Sequence, residues 1–519
     1  MLVLGLDSST QSFTAVVLDA ASGRVVHQRS VNFERDFPQF GTKNGVLPNA
    51  DAAIVHAPPL MWVAALDRVL SELKDVVDLS QVAAIAGSAQ QHGSVYLRGS
   101  FAQTLSDLKA DLPLADQFAG AFTRATAPIW MDSSTAEDCR AIDAALGGPL
   151  ETQRVTGSAA YERFTGPQIR RFARTEPAAW QATGHVRLVS SFLASILAGR
   201  PVGTDWGDGS GMNLLDLATK RWHQPALDAV SPDLARRLGD PVEPWAVQGT
   251  ISPALAKRYG FAATCRIVPW TGDNPASAIG LGLVRDGYCA ISLGTSDVLF
   301  AISAARPAMP PAGHIFFSPS GDHMALFCFA NGSLAREAVK DAHKLDWAGF
   351  SAALDRTAPG NAGRLMLPWF CPEIVPKVLK PGVVRANLKP GDADGECRAV
   401  VEGQFTSMRL RAQAAGIKPS ALRATGGAAQ NHAILQIAAD VFQCPVRRSN
   451  VTNTAALGAA VRAAHAIERS AGWDRLLIGA VEPQLGPEVA PRRNLAAVYD
   501  QLAKDYAALE TRELKDRGL

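Results

Sequence analysis

The chain has 519 residues, 47% of them hydrophobic and 19% charged, with 44 Gly and 32 Pro, a size that suits about three domains of ~100–200 residues or two large ones. Lys and Arg number 51 against 49 Asp and Glu, a net charge of +2. That balance argues against a nucleic-acid or membrane-surface partner, which a strongly basic chain would serve. The seven cysteines, Cys139, Cys265, Cys289, Cys328, Cys371, Cys397 and Cys444, stand singly with no C-x-x-C pair and read as reduced, mostly buried thiols. The start, Met1-Leu-Val-Leu-Gly-Leu-Asp7, has the pattern of a core strand rather than a signal peptide. No run reaches the ~20 apolar residues that span a bilayer. The expectation is a large α/β protein of the cytoplasm.

Residues 2–6 and 13–18 are apolar and flank a hydroxyl-rich stretch, which predicts strand, tip and strand. Helical patterning follows over 52–73. An apolar strand at 82–86 then runs into Gly87-Ser-Ala-Gln-Gln-His-Gly93, a polar loop at a strand's carboxyl end, where open α/β sheets place ligands. Residues 162–198 carry helical spacing, and 205–211 are turn-rich. Periodicity fades over 239–253, with Pro241, Pro244 and Pro253, so the domain boundary is expected there, between 1–247 and 248–519. Beyond it, a strand at 267–270 feeds Thr271-Gly-Asp-Asn-Pro275, and a small-residue helix is expected over 276–283. Residues 288–293, Gly294-Thr-Ser-Asp297 and 298–302 then repeat the opening scheme. Two related α/β halves facing each other across a cleft are expected. The Pro-rich stretches 306–313 and 372–382 read as surface excursions, and 494–517 as a helical tail.

Both tips place backbone N–H groups and small hydroxyls at a turn, a combination that wraps phosphate oxygens. An ordinary hairpin turn has the same pattern. Asp7 adds a carboxylate suited to a hard cation, directly or through water. Asp273 follows an apolar strand at a helix start, where it serves either as a cap or as a base for a substrate hydroxyl. Gly426, Gly427 and Asn431 make a small-residue turn before a helix, which lets a flat ligand or a phosphate approach the backbone. The alanine-rich stretch 453–461 reads as a close-packing helix. His92 and Arg163 are the polar groups singled out in the first half, each also compatible with a purely structural role. There is no metal-ligand spacing, Gly-x-Ser-x-Gly elbow or Gly-x-x-x-x-Gly-Lys-Ser/Thr loop.

The order of these motifs resembles the FGGY carbohydrate kinases, within them most closely the xylulose kinases of eukaryotic type. The likeness is carried by Gly5-Leu-Asp-Ser-Ser-Thr-Gln11, Gln90-Gln-His-Gly-Ser-Val95, Trp130-Met-Asp-Ser-Ser-Thr135, Tyr161-Glu-Arg-Phe-Thr-Gly166, Asp208-Gly-Ser-Gly-Met-Asn-Leu-Leu215, Thr271-Gly-Asp-Asn-Pro-Ala-Ser277, Ser292-Leu-Gly-Thr-Ser-Asp297, Asn331-Gly-Ser-Leu334 and Ala424-Thr-Gly-Gly-Ala428. The resemblance implies two actin-like (ribonuclease H-like) ATPase domains of the hexokinase, heat-shock and actin superfold. It implies ATP-dependent phosphorylation of D-xylulose to D-xylulose 5-phosphate, feeding the pentose phosphate pathway, with Asp273 as catalytic base. His92, Arg163, Asp273 and Asn274 would hold the sugar. Thr10, Gly294, Thr295, Trp347, Gly426, Gly427 and Asn431 would hold ATP, and Asp7 with Asp273 would hold Mg²⁺, directly or through water. The partners implied are the sugar and ATP, with no nucleic acid or membrane, in a monomer or a homodimer.

The chain departs from the family pattern twice. Phe13 and Thr14 stand where the family often carries a Lys after the first tip, and Ala428 stands where a third Gly is common. Alternative readings are a kinase for another small sugar or polyol, such as ribulose, gluconate, glycerol or erythritol, and a nucleotide-dependent sugar sensor without catalysis. A heat-shock-type ATPase or a filament protein is opposed by the sugar-loop motifs.

Overall fold

The computed structural model describes residues 1–308 and 313–519. The chain packs as two units. The first comprises Met1–Gly282, Phe316–Gly321 and Val451–Pro483, and the second Leu283–Ile315, Asp322–Asn450 and Gln484–Leu519. Residues 248–282, expected with the second half, therefore belong to the first unit. The reason is strand pairing: Arg266–Ile267 and Thr271–Gly272 both lie parallel to Val82–Ala89, so the proline-marked stretch is a crossing within one sheet. Of the Pro-rich stretch 306–313, residues 309–312 lie outside the described residues.

The sheet of the first unit runs Arg266–Ile267, Val82–Ala89, Leu2–Ser8, Ser12–Asp19 and Val25–Asn32 in that order, with Thr271–Gly272 also on Val82–Ala89. Leu2–Ser8 and Ser12–Asp19 are near-continuous apolar runs because both faces are covered. The outer strand Val25–Asn32 alternates with His27, Arg29 and other polar residues and is largely exposed, a composition that discourages further edge pairing. One face is covered by the helix Pro59–Leu73, which buries Met61, Trp62, Leu66, Val69, Leu70 and Leu73. The helical spacing of 162–198 is interrupted by the strand Thr183–Leu188, which the antiparallel partner Ser94–Arg98 draws out of the helical pattern. Tertiary pairing overrides local periodicity there.

The helix Thr454–Ile467 is built of small residues and is buried along most of its length. A Cβ at Gly5 would lie 2.2 Å from the Ala456 carbonyl oxygen, one at Gly280 1.9 Å from that of Thr454, and one at Gly458 1.9 Å from that of Ala276. Three glycines thus let this helix touch the strand Leu2–Ser8 and the helix Asp273–Gly280 backbone to backbone. The close packing expected for 453–461 is what the structure shows.

In the second unit the sheet runs His323–Phe329, Asp297–Ser303, Tyr288–Leu293, Ala421–Thr425, Val446–Ser449 and Leu485–Val489, with His314–Phe317 at its edge. Its opening repeats that of the first: an antiparallel pair joined by the tip, then a parallel neighbour. The helix Ala393–Ala414 lies in its core, and the tail helix Ala496–Asp516 covers it, burying Tyr499, Leu502, Tyr506 and Leu509. The Tyr499 hydroxyl donates to Glu402 at 3.0 Å, beside the Arg398–Glu402 ion pair at 2.9 Å. All seven cysteines are free thiols, five of them buried. No described helix is long and apolar enough to cross a membrane.

Because the added atoms of Gly458→Val meet backbone rather than a flexible side chain, the variant is expected to lose more than ~3 kcal/mol, the scale of severe overpacking. Gly120→Ala, where a Cβ meets nothing within 4 Å, is expected to stay within ~0.5 kcal/mol of the parent. Thermal unfolding of both variants checks this, and comparable midpoints would refute it.

Candidate active site

Three parallel strands of the first unit end level with one another. Asp7 pairs with Ser88 and Ser88 with Thr271; one residue on, Ser8 pairs with Ala89 and Ala89 with Gly272. The residues that follow, Ser9 and Thr10, Gln90 to His92, and Asp273 with Asn274, therefore leave the sheet together at its carboxyl edge, where open α/β sheets place ligands. Asp7 is the penultimate residue of the strand Leu2–Ser8, Ser9, Thr10 and Gln90 to His92 lie in the loops that follow their strands, and Asp273 opens the helix Asp273–Gly280.

Asp7 is buried and accepts hydrogen bonds from Ser88 at 2.7 Å and from Ser9. Burial raises its pKa to about 6, with those two hydroxyls pulling the other way. Asp273 Oδ1 accepts from the backbone N–H groups of Gln91 at 3.3 Å and Asn274 at 2.8 Å and from Asn274 Nδ2 at 3.2 Å. Burial, then the nearby charge of Asp7, raises Asp273 to about 7 against the opposing hydrogen bonds. Two carboxyls thus share a site in which neither ionises at its ordinary pH.

His92 is buried with φ of 75°, a conformation a non-glycine residue holds only when its surroundings fix it. They do so by three contacts. Its Nδ1 faces the Gly211 carbonyl at 2.7 Å, its own carbonyl accepts from Thr165 at 3.0 Å, and its ring stacks on Phe164 at 4.2 Å. A carbonyl only accepts, so Nδ1 carries a proton. Arg163 precedes Phe164 and lays its guanidinium over Tyr161 at 4.4 Å, half-buried and with no described carboxylate in ion-pair range. Asn274 Nδ2 also donates to Gln91 Oε1 at 3.0 Å.

Reading the motifs passes over several residues that this edge uses. Gln91 is wedged between two glycines: a Cβ at Gly272 would meet its Cγ at 2.9 Å and one at Gly211 its Nε2 at 3.0 Å. Among the described residues its Nε2 has no partner, and the same holds for both amide atoms of Gln90 and for the Ser8 hydroxyl. So many unpaired buried polar atoms at one strand edge mark a place for a polar ligand. Arg462 is fully buried and donates to the carbonyls of Gly87 at 3.0 Å, Pro244 at 3.1 Å and Pro269 at 2.9 Å, with Asp205 at 3.8 Å. It ties together the strands carrying Gln90 and Asp273. Only the position of the alanine-rich helix could have suggested it.

The second unit holds a separate cavity of about 750 Å³ whose lining includes Trp347, Gly427, Ala428 and Asn431, with Glu337 and Asp355. Gly426 has φ of 88°, and a Cβ there would lie 2.4 Å from the Leu293 carbonyl oxygen, so only glycine fits. Asn431 caps the helix His432–Phe442 by accepting from Ile434 N–H at 3.2 Å. Trp347 is 47% exposed, with the Lys340 ammonium over its ring at 5.5 Å and Phe350 edge-on to it at 5.6 Å. At the second tip, the Gly294 carbonyl accepts from Ser333 N–H at 2.8 Å, and Gly332 leaves no room for a Cβ beside the Thr295 carbonyl. Asp297 is spent on a buried bidentate pair with Arg336 at 2.8 and 3.0 Å. The two tips are therefore alike in backbone and unlike in charge: Asp7 at the first faces two hydroxyls, whereas Asp297 at the second faces a guanidinium.

Residues 123–280 match the N-terminal domain of the FGGY family of carbohydrate kinases, and residues 289–467 match its C-terminal domain. The chain is 42% identical to the xylulose kinase of Rattus norvegicus, covering 99% of this chain and 98% of that one. The chain belongs to the FGGY family of carbohydrate kinases. It is also 39% identical to xylulose kinase 2 of Arabidopsis thaliana, covering 91% and 87% of the two chains. Among solved structures, the xylulose kinase of Rhodospirillum rubrum superposes with a TM-score of 0.83 at 21% identity over 99% of both chains, and the Plasmodium falciparum glycerol kinase with ADP with 0.78 at 16% over 98% of both. This FGGY kinase accordingly has the two-domain, mixed α/β fold of the actin-like ATPases.

No group of three or more described His, Cys, Asp or Glu side chains is disposed to hold a metal ion. The paired carboxyls of Asp7 and Asp273 fit a different mode, in which Mg²⁺ takes one or two carboxylates and completes its shell with water and phosphate oxygens. Between pH 3.8, the ordinary value, and about 7, the folded kinase keeps protons on Asp7 and Asp273 that the unfolded chain has released. Their contribution to stability therefore falls as pH rises through that window. In chelator, Asp7→Asn is expected to gain thermal midpoint relative to the parent as pH goes from 5 to 8; a difference independent of pH would contradict the coupling.

Proposed function

We propose that this FGGY kinase transfers the γ-phosphoryl group of ATP to the terminal hydroxyl of D-xylulose, giving D-xylulose 5-phosphate and ADP. The observation that carries the reading is the level ending of three strands, which sets Asp273, Asn274 and His92 around the same edge as Asp7. Full-length similarity to xylulose kinases supports the choice of sugar.

In this mechanism Asp273 takes the hydroxyl proton as the sugar oxygen bonds to phosphorus and the bridging oxygen leaves with ADP. A carboxyl raised to about 7 suits a base working near neutrality. His92, Arg163 and Asn274 hold the sugar, with Asn274 fixed by Asp273 and Gln91 on either side. Phosphoryl transfer asks the protein mainly for alignment and charge compensation. Thr10 and the backbone of Gly294 and Thr295 face the phosphates, while Trp347, Gly426, Gly427 and Asn431 take the adenosine. Asp7 and Asp273 would hold Mg²⁺, directly or through water, and the dication would offset phosphate charge. Excluding water from the site keeps it from competing with the sugar hydroxyl.

ADP release with Mg·ATP and a panel of sugars and polyols tests the reading: strong, selective stimulation by D-xylulose is expected, and stimulation by none would leave a nucleotide-dependent sensor. Asp273→Asn is expected to lower turnover by at least ~10²–10⁴-fold with sugar affinity largely intact, and unchanged turnover would remove it from the role. Gly426→Ala, strained in φ and pressed on Leu293, is expected to weaken nucleotide binding at least ~10-fold while leaving D-xylulose binding unchanged. Equal affinity for a nucleotide analogue would move the adenosine elsewhere.

A further inference from the structure

The first tip has a neighbour that none of the motifs includes. Residues 43–46 form a tight loop closed by the backbone bonds Lys43 N–H to the Val46 carbonyl at 2.8 Å and Val46 N–H to the Lys43 carbonyl at 3.1 Å. Glu34 braces it by accepting from the Asn44 N–H at 2.7 Å. The loop presses directly on the tip: a Cβ at Gly45 would fall 1.8 Å from the Thr10 carbonyl oxygen, and Gly45 has φ of 81°. Loop and tip are thus one rigid feature, held by a glycine that no other residue replaces.

Beside this contact lies an open cavity of about 690 Å³, lined among others by Thr10, Gln11, Lys43, Asn44 and Trp130. The Thr10 hydroxyl accepts from Trp130 Nε1 at 2.8 Å, which leaves its own O–H to donate. Lys43 is exposed, and no described carboxylate pairs with it. It is the basic residue of the lining. The strand leaving the tip carries no cation: Thr14, opposite Asp7 in the ladder, is buried and bonds to the Ser30 hydroxyl at 3.0 Å. The phosphates of a nucleotide would bring negative charge to this edge. An ammonium on a long stem, lining the same cavity as a hydroxyl donor, is the compensating group that the strand itself lacks.

We propose that Lys43 binds the terminal phosphoryl group of the nucleotide at the first tip and offsets its charge during transfer. The proposal rests on the kinase reading above and adds a residue to it. No covalent step involves Lys43; it makes a charge-assisted hydrogen bond to a phosphoryl oxygen.

The test compares Lys43→Ala and Lys43→Arg with the parent at saturating D-xylulose. Lys43→Ala is expected to lower kcat/KM for Mg·ATP by about 10–100-fold, with Lys43→Arg recovering most of the loss. D-xylulose affinity without nucleotide and the thermal midpoint should not change. Added NaCl should raise KM for Mg·ATP more steeply in the parent than in Lys43→Ala. Parent-like kcat/KM in Lys43→Ala would overturn the proposal, as would a loss shared equally by sugar binding. A change confined to inhibition by D-xylulose 5-phosphate would overturn it too, assigning the cavity to the sugar phosphate. If the parent releases no ADP with any sugar, the kinase reading has failed, and calorimetric binding of inorganic tripolyphosphate decides the site alone: weaker binding to Lys43→Ala upholds it and equal binding rejects it.

Discussion

The first unit depends on a backbone contact with no side chain in it. The helix Thr454–Ile467 reaches the strand Leu2–Ser8 and the helix Asp273–Gly280 only because Gly5, Gly280 and Gly458 leave the space. Through that contact the two segments bearing Asp7 and Asp273 are pressed on a common support. Dispersion and exclusion of water act over the whole contact face, and a methyl group at any of the three glycines would separate the surfaces. Arg462 turns the same helix into an electrostatic brace, since its guanidinium meets the carbonyls of Gly87, Pro244 and Pro269.

That support makes it possible to keep carboxyls where water alone would not stabilise their charge. Asp7, Asp273, Asp205 and Asp208 are all raised, burial being the largest cause in each. A mobile edge would relax and hydrate them. A rigid one holds them poised for a cation and a proton, at a standing cost in stability that the apolar core offsets. The second unit carries its carboxylate on the strand that leaves the tip rather than on the one that enters it, and closes Asp297 with Arg336.

Much of this was legible in the sequence. The strand, tip and strand units, the helix after Asp273, the small-residue turn at Gly426 to Asn431 with the helix that follows it, and the tail helix follow from apolar period and turn chemistry, which act over a few residues. His92 and Asp273 were legible as polar groups at strand ends. What was hidden is set by distant partners. The strand Thr183–Leu188 exists because Ser94–Arg98 pairs with it, and residues 248–282 join the first unit because Val82–Ala89 accepts two more strands. Gln91 stood inside a motif already noted, but its wedge between Gly211 and Gly272 involves residues 120 and 181 positions away. Lys43 had no local signal, since nothing near it in sequence shows that its loop meets Thr10.

The discontinuity of the first unit sets an order on its assembly. Residues 1–282 leave the ribosome without the helix Thr454–Ile467 and without Arg462, which emerge only after most of the second unit has been made. Until then the face of Leu2–Ser8 that receives the helix is open, and the carboxyl edge lacks its brace. The second unit waits in its turn for its last strand Leu485–Val489 and for the tail helix Ala496–Asp516, which are synthesised after the helix that completes the first. The contacts that finish the first unit bridge hundreds of residues, the kind of closure that slows folding. A chain cut after residue 282 would carry every residue proposed to touch the sugar and still lack the surface that holds them in place.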